Sequence, residues 1–402
     1  MSYTMEPILD CGAFTAWTQG VEVDIVEYAD FCVANMDKFK YFVNLDCIPR
    51  NEGLAIKGDK SSVKLIPKEE IERSAQVGWD NMEYMLSRGI PKDRLIHVFH
   101  QGEDFSWLER MREFGLSYVG ISPQNGLHSA EKKRWMEECM YYATNSAGMP
   151  LMKWHGFAVT DISLLSSFPF YSGDSISFAQ VAGFGYLRVP RLVRGKPDFL
   201  ARPINVECTI HSNPNAPFME CCPDLNLSES ERKYVEEHVK SWGFEWGRSS
   251  FRQAAQDYKA DKSKGEIVVL GSRKDGECTV ETREVLGVTN DYPTRAIYSA
   301  LYYGCVENAL PQWPWSYKQK GARLGLRMRN SSAREAKCPY SDTGQPTRLY
   351  FATWPQKSII LRNKFRKFFG RDQYRHLIAF SMTDKSKMKT FLRLLEEDKN
   401  AS

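Results

Sequence analysis

The chain has 402 residues, with 54 Lys or Arg against 50 Asp or Glu and a formal net charge of +4. That length buries a sizeable core and suits one large domain with additions, or two domains. No run of eighteen apolar residues occurs, so no membrane-spanning helix is expected, and MSYTMEPILDCG lacks the basic-then-apolar order of a secretory signal.

In chain order, Pro7 to Leu9 is a short apolar run ending in Asp10-Cys11-Gly12-Ala13-Phe14. Val21 to Met36 has helical apolar spacing, and Phe42 to Asp46 reads as a strand stopped by Pro49. Arg50 to Leu65 reads as a loop. Pro67 opens a long helix that runs through Leu86 and stops near Gly89. Leu95 to Phe99 is a strand followed by His100-Gln101-Gly102-Glu103; Asp104 to Phe114 is a helix; Tyr118 to Ser122 is a strand; Ala130 to Ala147 is a helix. The stretch from Trp154 to Phe178 then gives an apolar run over Gly156 to Val159, a short amphipathic turn, and a second run over Phe168 to Ser172 that ends in Gly173-Asp174-Ser175. Tyr186 to Val189 is a seventh candidate strand and Glu266 to Leu270 an eighth.

Strands alternating with helices argue for parallel βαβ units. The expected fold is α/β, a TIM-like (β/α) barrel with irregularities, carrying an α+β basic C-terminal extension. A doubly wound open sheet is the alternative. Neither a dinucleotide fingerprint nor a phosphate loop follows any of these strands. The expected division is a core with the motifs over 1–200, an irregular and helical segment over 201–310 and a basic extension over 311–402. Within the later parts, Ser228 to Trp242 is a helix with a capping box at Ser228 and Glu231, Ser249 to Asp261 is expected to be helical, and Tyr292 to Ala309 is a buried helix. Arg348 to Trp354 is read as a strand and Ser386 to Glu397 as a helix.

The ten Cys are scattered, several in apolar runs (Cys32, Cys47, Cys305), which fits a reducing cytoplasmic compartment rather than a disulfide framework. Charge is uneven. Trp313 to Arg393 holds nineteen Lys or Arg and four Asp or Glu, a local excess of 19 − 4 = +15 that leaves the remainder at 4 − 15 = −11. Aromatic residues are interleaved with these cations. Such a segment points to a polyanion, with Lys364, Arg366, Lys367, Arg371 and Arg375 as candidate contacts to a nucleic-acid backbone. The alternative is a solvated, salt-bridged face.

Three candidate strand ends carry acids, Asp10, Asp46 and Asp174, and a fourth carries His100-Gln101-Gly102. In a barrel such ends converge on one face, where carboxylates can divide nucleophile, acid and base roles. An Asp in a Gly-Asp-Ser turn can equally be an Asx-turn or a helix cap, Asp46 can simply cap the turn before Pro49, and Phe14, His100 and His155 are read first as core residues.

In their order along the chain these motifs resemble the tRNA-guanine transglycosylases, and most closely the phage enzymes that place 7-deazaguanines in DNA. The likeness rests on Asp10-Cys11-Gly12-Ala13-Phe14, Leu45-Asp46-Cys47-Ile48-Pro49, Gln101-Gly102, Val119-Gly120-Ile121, and the unit from His155-Gly156 to Gly173-Asp174-Ser175, somewhat under half of the chain. The resemblance implies a base exchange in DNA through a covalent glycosyl intermediate on Asp174. It makes Asp10 the general acid and base, and Asp46, Gln101, Gly102, Gly120, Gly156 and Phe14 the base-binding residues, with Phe157 as a second stacking candidate. It implies duplex DNA and a free 7-deazaguanine as partners, no cofactor for the chemistry, a possible homodimer, a viral origin and a cytoplasmic location. An RNA-directed transglycosylase and a non-catalytic nucleic-acid-binding barrel are the alternatives; a sugar hydrolase would leave the basic segment unexplained.

Two departures from the family stand out. Only nine residues precede Asp10, so barrel strands must come from elsewhere or be absent. The family's Cys-x-Cys-x-x-Cys zinc motif is missing, and Cys208, His211, Cys221 and Cys222 form the one Cys/His cluster that could hold a structural zinc, with spacing unlike the family's.

Overall fold

The structure, a computed structural model, describes residues 6–49, 66–124, 128–208, 227–269, 271–317, 335–352, 363–369, 375–379, 388–393 and 396. The chain divides into two compact units, one formed by Met1–Ser175, Leu310–Arg362 and Asp372–Ser402, the other by Ile176–Ala309 and Asn363–Arg371.

The first unit is a curled parallel sheet with helices between its strands. In chain order it runs β1 (Glu6–Asp10), α1 (Ala13–Gln19), α2 (Ile25–Ala34), β2 (Tyr41–Val43), α3 (Lys68–Ser87), β3 (Leu95–His100), α4 (Phe105–Glu113), β4 (Tyr118–Ser122), α5 (Ser129–Ala143), β5 (Lys153–Gly156), α6 (Ile162–Leu165) and β6 (Ser172–Ser175). The second unit supplies α7 (Ser177–Gly183), β7 (Tyr186–Val189), β8 (Arg191–Val193), β9 (Lys196–Asp198), β10 (Ile204–Glu207), α8 (Glu229–Ser241), β11 (Arg248–Ala255), β12 (Glu266–Val268), β13 (Glu277–Val285) and α9 (Tyr292–Ala309). The chain then returns to the first unit with β14 (Gln312–Trp313), β15 (Gln345–Pro346) and β16 (Arg348–Ala352). Helix α10 (residues 363–369) belongs to the second unit, and β17 (Arg375–Ala379) and α11 (residues 388–393) to the first.

Pairing in the large sheet runs β1-β2-β3-β4-β5-β6-β16-β17, and β17 pairs in turn with β1, every neighbour parallel. This strand–helix alternation is TIM-like. Its composition corrects the sequence reading: Tyr186–Val189 pairs antiparallel with β10, and Glu266–Val268 pairs antiparallel with β13, so neither joins the large sheet. The missing strands are β16 and β17, which lie within the segment expected to be a separate basic extension. The contact units follow other boundaries than 1–200, 201–310 and 311–402: the second unit takes Ile176–Ala309, between β6 and β16, and Asn363–Arg371, between β16 and β17, and the first unit takes the rest.

Local chemistry explains most of these elements. β3 is buried at all six positions, as in a strand covered on both faces, with His97 and His100 as its two polar residues. Glu69 and Glu70 sit in the first turn of α3, where the helix dipole favours them. The Asp104 carboxylate accepts from Ser106 N at the start of α4, and Ser228 and Glu231 form the expected capping box on α8. The helix expected over Ser249 to Asp261 is absent, and β11 occupies Arg248–Ala255. There pairing with β13 along its whole length outweighs the local helix preference of its Gln and Ala residues.

The N-terminal ends of the parallel strands form an aromatic floor. Tyr41 begins β2, Tyr118 begins β4, and Tyr171 stands just before β6; the Tyr41 and Tyr171 hydroxyls are 3.4 Å apart. Lys153 Nζ lies 5.0–5.9 Å from the centroids of these three rings, and the Arg348 guanidinium lies 5.0 Å from that of Tyr171. Cation–π attraction lets two cations sit in this interior.

Candidate active site

At the opposite, C-terminal ends of the strands the chain assembles its acids. Asp10 is the last residue of β1, and Gly12, with φ 75°, adopts the left-handed turn that leads into α1. Asp46 follows β2, His100 closes β3, His155-Gly156 closes β5, and Asp174 lies in β6 beside Tyr350 of β16. Asp10, Asp46 and Asp174 are close enough for the charges of the other two to act on Asp10. The three acids picked out in the sequence are therefore brought together.

Two hydrogen-bond networks hold the other two carboxylates. Asp46 accepts from the Cys11 thiol at 3.0 Å on Oδ1 and meets His100 Nε2 at 2.9 Å on Oδ2, while His100 Nδ1 meets Glu103 Oε1 at 2.8 Å. Asp174 Oδ1 meets His155 Nε2 and accepts from Ala158 N, both at 3.2 Å. His155 Nδ1 is 2.7 Å from Ser172 Oγ, which is also hydrogen-bonded to the Tyr118 hydroxyl. With Nε2–H donating to the carboxylate, Nδ1 accepts from Ser172 and Ser172 accepts from Tyr118. One continuous chain of hydrogen bonds thus runs from the aromatic floor to Asp174.

The electrostatics separate the acids. Burial, then the charges of Asp174 and Asp46, push Asp10 from the ordinary 3.8 up to about 7, against the opposing pull of Gly12 N–H and the Cys11 thiol. Burial also works to raise Asp46, but the hydrogen bond and charge of His100, with the thiol of Cys11, outweigh it and hold Asp46 below the usual range. His100 is raised to about 10: burial opposes its charge, and the hydrogen bonds and charges of Asp46 and Glu103 prevail. Near neutral pH the site therefore holds one carboxyl poised to exchange a proton and another fixed as an anion beside an imidazolium.

The remaining predicted residues fall out unevenly. Gln101 Oε1 accepts from Gln124 N at 3.1 Å, which leaves its amide N–H groups as donors. Gly102 has φ 115°, a conformation that favours glycine. A Cβ on Gly120 would lie 2.2 Å from Phe157 Cε2, so the Phe157 ring rests directly on this glycine; a Cβ on Gly156 would meet Val159 Cβ at 2.8 Å, an internal packing reason for that glycine. Phe14 is not core: it is 53% exposed on α1, stacked on Trp17 at 5.9 Å. Lys364, Arg366 and Lys367 are exposed on α10 in the second unit. Arg371 lies outside the described residues. Arg375 stands opposite Glu6 at the start of β17, the end of the sheet away from Asp10. Of the zinc candidates, His211, Cys221 and Cys222 lie outside the described residues, and the buried Cys208 thiol is 3.7 Å from Val206 O. Among the described residues no group of three His, Cys, Asp or Glu is arranged to hold a metal ion.

Sequence reasoning passes over Cys11, Glu103, Ser172 and Tyr118, and takes His100 and His155 for core residues. Both histidines are buried, but each bridges a site carboxylate to a second polar group. The available signal is position: each His stands at a strand end beside a glycine or a Gln-Gly turn, where a buried imidazole meets the same face as the acids.

Comparison with protein-family models, with curated proteins and with solved structures finds no match to this chain. None of the helices among the described residues is long and apolar enough to cross a membrane.

Proposed function

We propose that the chain is a transglycosylase that exchanges guanine in DNA for a 7-deazaguanine through a covalent intermediate on Asp174. The observation that carries the reading is the division of labour among three clustered acids: Asp174 held on one oxygen by His155 and the Ala158 N–H, Asp10 pushed to about 7, and Asp46 held below the usual carboxylate range.

Among the described residues, both hydrogen bonds to Asp174 fall on Oδ1. Oδ2 then attacks C1′ of the target nucleotide as the C1′–N9 bond breaks. Asp10, in its protonated form, gives the departing guanine its proton, and the resulting carboxylate takes the N9 proton of the incoming base, whose N9 displaces Asp174 from C1′. Two displacements at one carbon preserve the anomeric configuration. An acid with a pKa near 7 serves both steps at neutral pH. Anionic Asp46 accepts from N1–H and the exocyclic amine, while the Gln101 amide and the Gly102 N–H meet O6. Phe157, lying on Gly120, and exposed Phe14 are the aromatic surfaces available for the ring. The chemistry draws on no cofactor.

The test is incorporation of radiolabelled guanine into duplex DNA and, in parallel, into bulk tRNA. Incorporation into DNA, lost in Asp174→Asn while DNA binding persists, supports the proposal. Incorporation into tRNA alone keeps the mechanism and replaces the substrate. Full activity of Asp174→Asn removes the nucleophile assignment.

A further inference from the structure

The second unit carries a feature that the base-exchange chemistry does not use. Strands β8 and β9 form a two-stranded ribbon, with Arg191 opposite Asp198, Leu192 opposite Pro197 and Val193 opposite Lys196. Arg194 and Gly195 make the turn with φ of 52° and 76°, the paired left-handed geometry of a tight two-residue hairpin. Every residue from Arg191 to Pro197 is exposed, and Leu192 and Val193 are each 43% exposed. Successive strand residues face opposite ways, so these two aliphatic side chains stand on the two faces of the ribbon, and both are exposed.

Charge says what would cover it. Arg191, Arg194 and Lys196 lie within these residues, and the first acid is Asp198, whose Oδ1 accepts from Leu200 N and Ala201 N at 2.8 and 3.1 Å. Among the described residues Arg191 approaches Glu231 loosely, at 3.9 Å. A cationic ribbon repels a basic surface and gains most from a polyanion. Two antiparallel strands match the width of a DNA groove, and aliphatic side chains inserted between base steps unstack them.

We propose that the hairpin Arg191–Asp198 is a duplex-DNA wedge. Its cations hold phosphates, and Leu192, on the face it shares with Pro197, presses on the bases, loosening the stack so that a nucleotide can leave it. This inference rests on the reading that nucleic acid is the substrate, and it adds the means by which a paired base becomes accessible.

The test uses the full chain, a duplex with 2-aminopurine beside a guanine, and the matching single strand. Wild type is expected to raise 2-aminopurine fluorescence in the duplex. Arg194→Glu with Lys196→Glu should weaken duplex binding by about tenfold or more and flatten the log–log salt dependence by about two. Leu192→Ser with Val193→Ser should keep the salt dependence but lose the fluorescence rise. Guanine exchange in that variant should fall about tenfold or more in the duplex and stay at the wild-type level in the single strand. Unchanged fluorescence and duplex affinity in both pairs of variants would overturn the wedge, as would equal losses on duplex and single strand, or failure of wild type to bind the duplex. A wild type that unstacks the duplex through this hairpin yet exchanges no guanine would reject the transglycosylase reading and leave the wedge standing.

Discussion

Replacing Asp10 by Asn should make the folded protein more stable above neutral pH. Asp10 is moved from 3.8 to about 7 by burial and by two neighbouring carboxylates. A group whose folded pKa is raised contributes stability that is full below its unfolded value and is lost as pH rises through the folded value. Wild type therefore loses stability from this group across the range from about 4 to about 7, and Asn, which never ionises, does not. Each tenfold difference in proton affinity between the folded and unfolded chain is worth about 1.4 kcal/mol. The full difference is then about 4 kcal/mol at high pH, of which about 2.5 kcal/mol accrues between about pH 5 and pH 8. Coupling to Asp46 and Asp174 makes this an upper value. The assay is urea unfolding of both proteins at these two pH values, reading the change in the variant-minus-wild-type difference so that all other titrations cancel to first order. A difference that stays constant with pH would mean that Asp10 ionises in its ordinary range, and the case for it as a neutral-pH acid would fail.

Other perturbations probe the surrounding parts. His155→Leu cuts the hydrogen-bond chain to Asp174 and should lower kcat by about tenfold to a hundredfold with little change in KM, and His155→Gln should recover part of the loss, because an amide can still donate to Oδ1. Gly120→Ala forces the Phe157 ring aside and should cost about 1–3 kcal/mol in thermal unfolding, most of it recovered when Phe157→Ala is added. Reversing the exposed charges Lys364, Arg366 and Lys367 should weaken nucleic-acid binding and reduce its salt dependence; an unchanged salt slope would show that this helix does not meet phosphate.

Up to Ser175 the sequence is a good guide to the order of elements, because six short apolar runs alternate with helical spacing, although the runs Gly156–Val159 and Phe168–Ser172 are offset by a few residues from β5 and β6. Beyond that point periodicity fails for a physical reason. Tyr186–Val189 and Glu266–Val268 have the pattern of strands and are strands, but a pattern says which side chains are buried, not which strand is the neighbour. The two strands that complete the parallel sheet differ in legibility: Arg348–Ala352 is readable, and Arg375–Ala379 is hidden among cations that suggest a separate surface. At the site, the acids are legible because carboxylates at strand ends are conspicuous. Their partners are not, because a histidine buried for packing and one buried to hold a carboxylate look alike until the opposing strand is known. Phe14 shows the converse, an aromatic residue expected inside that stands half in solvent.

The insertion of the second unit has a consequence for synthesis. β6 carries Asp174, and its neighbour on one side, β16, is Arg348–Ala352. When β6 leaves the ribosome, β5 is already available, but the strand that pairs with its other edge has not been made, and the segment Ile176–Ala309 must be translated first. Throughout that interval the nascent chain exposes an unpaired edge at the very strand that bears Asp174, an edge that can recruit the wrong strand. A ribosome that stalls or terminates within the insertion thus releases a chain whose Asp174 is present but whose strand is finished on one side only. Selection on this gene should therefore bear on the tempo of translation through the insertion as well as on the residues it encodes.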